Sequence, residues 1–216
     1  MKIQNILSQK QYPSYQYRMK FILLLFSLVS GHGYISNPPA QYYDNSKKTT
    51  YNNLIDSSID SHFIGPFNWD PDTNLKSFTN SFKNTIFKDL KSMFEYANVK
   101  CGNSRIDINP IDVRGITSMS WQNDEERVGF IKSHSGPCEI WIDDIRITHD
   151  DDCRRAYPNY PANIPVDYNQ CQGKCILQFY WLALHEVKWQ MYKQCVPIIN
   201  DPSPVSSVAS TLRCEE

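Results

Sequence analysis

Three kinds of hydrophobic pattern follow one another along the chain. Residues 21–29 read FILLLFSLV, an unbroken apolar run. Farther on, Leu75, Phe78, Phe82, Ile86 and Leu90 recur at spacings of three and four, flanked by Phe87 and Phe94 and separated by Lys, Asn and Ser. That spacing gathers apolar side chains on one face of a helix, so a helix is predicted here with its aromatics in a core. From Cys101 onward the pattern changes to short runs rich in Val, Ile, Trp and Tyr, at 116–121, 128–132, 139–142, 145–148 and 176–184, most of them bounded by Gly, Pro, Asn or Asp. Each predicts a short strand, and closely spaced strands without intervening helices predict an antiparallel sandwich. The Pro-, Tyr- and Asn-rich stretch from residue 32 to about 71 predicts an initial strand followed by long loops.

The flanks of the first run give it a different meaning. Arg18 and Lys20 precede it, Ser30-Gly31 follows it, and the small residues Val29 and Gly31 occupy the two positions a signal peptidase reads. Residues 1–31 are therefore predicted to be a secretory signal peptide, with Met19 as a second candidate start, and cleavage after Gly31 makes His32 the first residue. The run is shorter than the roughly 18 residues of a membrane-spanning helix, so no membrane partner is expected. Removing 1–31 takes away four basic residues and no acid, so the near-neutral whole becomes 18 basic against 23 acidic residues, a net of −5. A mildly acidic domain argues against a nucleic-acid partner, whose phosphates need a basic surface.

The 216 residues, 41% hydrophobic and 13% aromatic, are enough for one domain with a real core and too apolar for a disordered chain. The domain is expected over 32–197, and the Pro/Ser-rich stretch in 198–216 reads as a tail. Seven cysteines in an exported chain read as disulfides. Six of them (Cys101, Cys138, Cys153, Cys171, Cys175, Cys195) fall inside the domain and allow 15 connectivities, while Cys214 lies in the tail.

Among the five histidines, His32, His134 and His185 stand in informative settings, with His62 and His149 as the others. A terminal histidine offers its α-amine and an imidazole nitrogen from one residue, and a second histidine can add a third nitrogen. Nitrogen-only, tetragonal ligation favours Cu(II). The amine must shed its proton, of ordinary pKa about 7.7–8.0, before it can bind. His149 beside Asp150, Asp151 and Asp152 reads as an exposed acidic turn rather than a site for a hard cation.

Four motifs in order, His32-Gly33-Tyr34, Ser133-His134-Ser135-Gly136-Pro137, Ala183-Leu184-His185 and Gln190-Met191-Tyr192-Lys193-Gln194-Cys195, make residues 32–197 resemble the lytic polysaccharide monooxygenases. The resemblance implies an immunoglobulin- or fibronectin-III-like β-sandwich with a helix in its early loop region. It also implies one copper ion held by His32 and His134, with the phenol of Tyr192 on the axis and Gln190 and His185 beside it as proton-handling groups. For His185 the plain alternative is a hydrogen-bonded core histidine. The resemblance further implies that Cys195 pairs with Cys101, 33 residues ahead of His134; the pairing of Cys138, Cys153, Cys171 and Cys175 stays open.

Within that superfamily the wording Ser-His-Ser-Gly-Pro-Cys-Glu-Ile-Trp and Phe-Tyr-Trp-Leu-Ala-Leu-His-Glu is most similar to the oomycete pectin-active group, auxiliary activity family seventeen. The implied substrate is homogalacturonan of the plant cell wall, with cellulose and chitin as alternatives. A polyanion facing an acidic domain needs local positive charge, and Lys132, Lys188 and Lys193 lie close in sequence to the motif residues, as a rim for carboxylates. Tyr34, Tyr42, Tyr43 and Trp189 are candidates for a surface that stacks on sugar rings. The expected partners are the polysaccharide, an external electron donor and oxygen or hydrogen peroxide, acting on a monomer. Two rival functions remain: a copper-binding protein with the same ligands and no oxygenase activity, and a polysaccharide-binding effector with an idle site.

Overall fold

The computed structural model describes residues 32–131 and 133–201. The expected signal peptide, Lys132, Cys214 and the tail beyond Asp201 lie outside the described residues.

The N-terminal strand β1 (Tyr34–Asn37) is followed by loops carrying the short strand β2 (Asn53–Ile55) and then two helices. Helix α1 (Pro71–Phe82) starts where the Asp70 carboxylate accepts from the amides of Asp72 and Thr73, both at 3.1 Å, and Pro71 opens the first turn. Helix α2 (Leu90–Tyr96) starts at a capping box in which Asp89 and Ser92 satisfy each other's amides. The single helix expected through Leu90 is thus two helices. The chain leaves the helical path at Lys83, which turns Ile86 out to 68% exposure and Phe87 inward.

The remaining strands are β3 (Ile111–Asp112), β4 (Ser118–Gln122), β5 (Cys138–Ile142), β6 (Ile145–Asp150), β7 (Ala162–Pro165), β8 (Gly173–Ala183) and β9 (Trp189–Asn200), with a one-turn helix α3 (Cys153–Ala156) after β6. Among the described residues, 128–131 of the strand expected over 128–132 form no strand. Val128 makes only an isolated bridge to Asn123, while Phe130 and Ile131 are buried from a loop, so burial alone accounts for their apolar character. The last strand runs to Asn200, three residues past the expected domain boundary.

Two sheets result, as expected for an all-β sandwich. The smaller has the order β1-β4-β7, and the larger β2-β9-β8-β5-β6, with β3 paired in parallel to β9 and all other pairings antiparallel. Between the sheets lies a core built on Ile35, Met119, Trp121, Ile164, Ile140, Phe179, Trp181 and Tyr192. The other face of the large sheet carries a second core, in which Tyr180, Leu182, Trp189 and Met191 pack against Phe63, Phe67, Phe78, Met93 and Phe94 of the helical layer. Strands β8 and β9 are therefore covered on both faces, which explains their nearly continuous apolar runs.

Three disulfides staple the sandwich: Cys101–Cys195, as the resemblance implied, together with Cys138–Cys153 and Cys171–Cys175. They fit an oxidising, extracytoplasmic setting. Among the described residues no helix is long and apolar enough to cross a membrane.

Candidate metal centre

Side-chain alternation along β9 sorts its residues onto two faces. Gln190, Tyr192 and Gln194 share one; Trp189, Met191 and Lys193 share the other, toward the helices. Tyr192 lies opposite Trp181 of β8, and the two rings stack with centroids 4.6 Å apart. The Tyr192 hydroxyl donates to Gln190 Oε1. Burial pushes the phenol's pKa well above its usual value, so its proton stays on.

His32 enters from the other sheet, one residue before Gly33. A Cβ on Gly33 would run into the Trp121 indole, so glycine lets the backbone after His32 lie directly on the core. The His32 ring centroid is 5.7 Å from that of Tyr192 and 6.3 Å from that of His134.

His134 comes from the loop before β5. Leu182 N donates to Pro137 O and Leu184 N to Ser135 O, both at 3.0 Å, binding this loop to the end of β8. Gly136 makes the approach close enough that any Cβ there would collide with the Leu182 carbonyl. His134 is 5% exposed, has Ser133 Oγ 3.0 Å from its Nδ1, and is hydrogen-bonded by Gln190. Burial, reinforced by His185 and His32, lowers its pKa to about 3, so the imidazole is neutral and ready to ligate. His185 stacks on it at 3.7 Å, and burial also lowers the pKa of His185. His185 Nδ1 is buried with no hydrogen-bond partner. The other flank of the loop holding His185 is fixed by Asn74 of α1, a fully buried amide donating to Leu184 O at 2.7 Å.

The five expected site residues, His32, His134, His185, Gln190 and Tyr192, thus come together from four segments of chain. Three neighbours were not anticipated. Trp181 was legible as the cross-strand partner of Tyr192 once β8 and β9 pair. Gln194 follows Tyr192 on the same face. Tyr51, whose ring lies 5.9 Å from His32 and 6.3 Å from Tyr192, comes from an irregular loop with no periodic signal.

The donor set suits an ion that takes two imidazoles. Their ring centroids, 6.3 Å apart, are within the span of one ion bound by both rings at imidazole–metal bonds of about 2 Å. Among the described residues no group of three or more His, Cys, Asp or Glu side chains forms a metal cage. If the chain were cut before His32, as expected from the sequence, the freed α-amine would add a third nitrogen beside the two rings.

The proposed surroundings are only partly built. Lys193 is not on a rim: it is 7% exposed, sits with Nζ 4.8 Å from the Tyr180 ring centroid, and burial lowers its pKa. Lys188 is exposed, but its ammonium pairs with Asp56 and lowers that carboxyl's pKa to about 2. Trp189 cannot stack on sugar, being fully buried against Phe67, Phe63 and Phe78. Tyr42 is half-buried and spends its hydroxyl on Gln194. Tyr34 donates to Asp124 at 2.6 Å, with Lys48 over its ring, and Tyr43 is 65% exposed. His149 lies between Glu139, which is wholly buried, and Asp151, at 3.1 Å from each.

Compared with known proteins, the chain matches no protein-family model and no curated protein.

Proposed function

We propose that this is a secreted, copper-dependent polysaccharide monooxygenase, with homogalacturonan as the first substrate to test. The observation that carries the proposal is the convergence of His32, His134 and Tyr192 at one place, with Gln190 and His185 beside them. His32 and His134 would hold the copper, the first through its ring and its freed amine, the second through its ring. Copper, when bound, supplies the one-electron chemistry needed to oxidise a carbohydrate C–H bond.

The protein's own groups prepare that chemistry. His134, kept neutral by burial, presents a lone pair at any physiological pH. Tyr192 keeps its proton and directs it to Gln190 Oε1, so it offers a neutral phenol oxygen rather than a phenolate. His185, its Nδ1 unpartnered, has a nitrogen free to hold or pass a proton beside the site. Trp181, stacked on Tyr192 and 6.1 Å from His134 between ring centroids, walls the site with apolar surface and excludes water from its floor.

The test is incubation of chain beginning at His32, loaded with copper, with homogalacturonan, cellulose or chitin, a reductant and oxygen or peroxide. Oxidised oligosaccharides in the mass spectrum are expected. Copper binding without products on any of the three would favour a metal-binding role, and no copper binding would favour an idle-site effector.

A further inference from the structure

The side-chain amide of Gln194 holds four groups at once. It is 5% exposed; its Oε1 accepts from Ile35 N at 2.9 Å and the Tyr42 hydroxyl at 2.7 Å, while its Nε2 donates to Gly33 O at 3.2 Å and Lys48 O at 2.8 Å. A carboxamide has two acceptor sites on oxygen and two donor hydrogens, so all four are used.

Two of the partners have special meaning. The Gly33 carbonyl and the Ile35 amide flank Tyr34 and point to the same edge of the extended chain. In a parallel ladder, one peptide-bearing residue of the neighbouring strand bonds that same pair. Strand β1 is at the edge of the three-stranded sheet, so Gln194 reproduces with its side chain what a neighbouring strand would supply with its backbone. The residue itself belongs to β9 of the other sheet, on the face of Gln190 and Tyr192. The amide is a strut across the sandwich, reaching the residue after His32 at one end and standing two residues from Tyr192 at the other.

We propose that Gln194 is the positioning residue of His32. A chain that begins at His32 has no preceding peptide to restrain it, so the grip of Gln194 on Gly33 and Ile35 adds to the pairing with β4 in setting the placement of His32 against His134 and Tyr192. The consequence for copper rests on the function proposed above; the grip on the terminal strand does not. Glutamate at this position could still accept from Ile35 and Tyr42. It could not donate, and would set a buried carboxylate oxygen against the carbonyls of Gly33 and Lys48. Leucine would fill the space and make none of the four bonds.

The experiment compares wild type, Gln194→Glu and Gln194→Leu, all beginning at His32, with Ile164→Val in the inter-sheet core as a control for general destabilisation. In the metal-free proteins, amide exchange at Ile35 is read by NMR; in the Cu(II)-titrated proteins, affinity is read by calorimetry and ligand geometry by electron paramagnetic resonance. Gln194→Leu is expected to exchange Ile35 faster, on the order of tenfold, and both Gln194 variants to bind copper about 10–100-fold more weakly with an altered spectrum. Ile164→Val is expected to lower the melting temperature and keep wild-type affinity and spectrum. Wild-type affinity and spectrum in Gln194→Leu would overturn the proposal, as would an equal loss of affinity in Ile164→Val. Wild-type chain that binds no copper would instead overturn the proposed function, and Ile35 exchange would then decide alone whether Gln194 fixes the terminal strand.

Discussion

His134 and His185 stack face to face, with ring centroids 3.7 Å apart and planes 21° from parallel. Two imidazolium rings at that separation would repel by about 4 kcal/mol at an effective dielectric near 20, so the two rings are not positively charged together. The stack and the proton-handling nitrogen are separable. His185→Phe keeps a ring against His134 and should leave copper affinity within about threefold of wild type, while lowering oxidised-product yield about 100-fold if His185 moves a proton. His134→Phe should abolish tight copper binding. Calorimetry and product mass spectrometry on the two variants check both statements.

Gly136 ties the His134 loop to β8. A methyl group there meets the Leu182 carbonyl, a backbone atom that cannot swing aside. Gly136→Ala should cost about 3 kcal/mol or more and weaken copper binding, because the loop must lift. Gly115, with φ +79° and nothing near its Cβ position, should tolerate alanine at about 1 kcal/mol with copper affinity unchanged. Urea unfolding and calorimetry distinguish the two.

The three disulfides close loops of very different length, at sequence separations of 94, 15 and 4. Chain-entropy arguments assign about 4.7, 3 and 2 kcal/mol to them in that order. Replacing Cys101 and Cys195 together by serine should therefore destabilise most, and it also loosens the strand that carries Tyr192. Equal losses for all three pairs in urea unfolding would contradict the ordering.

His149 makes stability depend on pH away from the metal centre. Its hydrogen bond to Glu139 raises its pKa; burial opposes the rise, and Asp151 adds to it, with the Arg146 guanidinium also on Glu139. A proton held more tightly in the folded state stabilises fully below the unfolded pKa of about 6.5 and ceases to as pH climbs through the folded value. His149→Gln should therefore lose more stability near pH 5.5 than near pH 8.5, seen as a gap in urea midpoint that narrows with rising pH. A gap that stays constant would count against the linkage.

How far the sequence foretold this arrangement depended on the kind of signal. Periodicity placed Leu75, Phe78 and Phe82 on a buried helical face. It ran on through Ile86 because it does not register a break; Asp89 and Ser92, three apart ahead of an apolar turn, carried the restart. The residues of the proposed copper site were legible as an ordered set of motifs, since each is a short local pattern. Of the expected basic rim, Lys132 lies outside the described residues, and Lys193 turns inward for a reason also present in the sequence. If Gln190 and Tyr192 share one face of a strand, Trp189 and Lys193 must share the other. Lys188 was outwardly placed, but its pairing with Asp56 joins residues 132 positions apart, and no local pattern reports such a contact. The four bonds of Gln194 are of the same long-range kind.

On the proposed function, the chain becomes a copper protein only by losing residues 1–31. The direct measurement is Cu(II) affinity, by calorimetry, of chain beginning at His32 beside chain that retains Gly31. One copper per chain, bound tightly by the first and with most affinity lost in the second, is the predicted result, because the peptide bond converts the donor amine to an amide. Equal affinity in the two forms would contradict it.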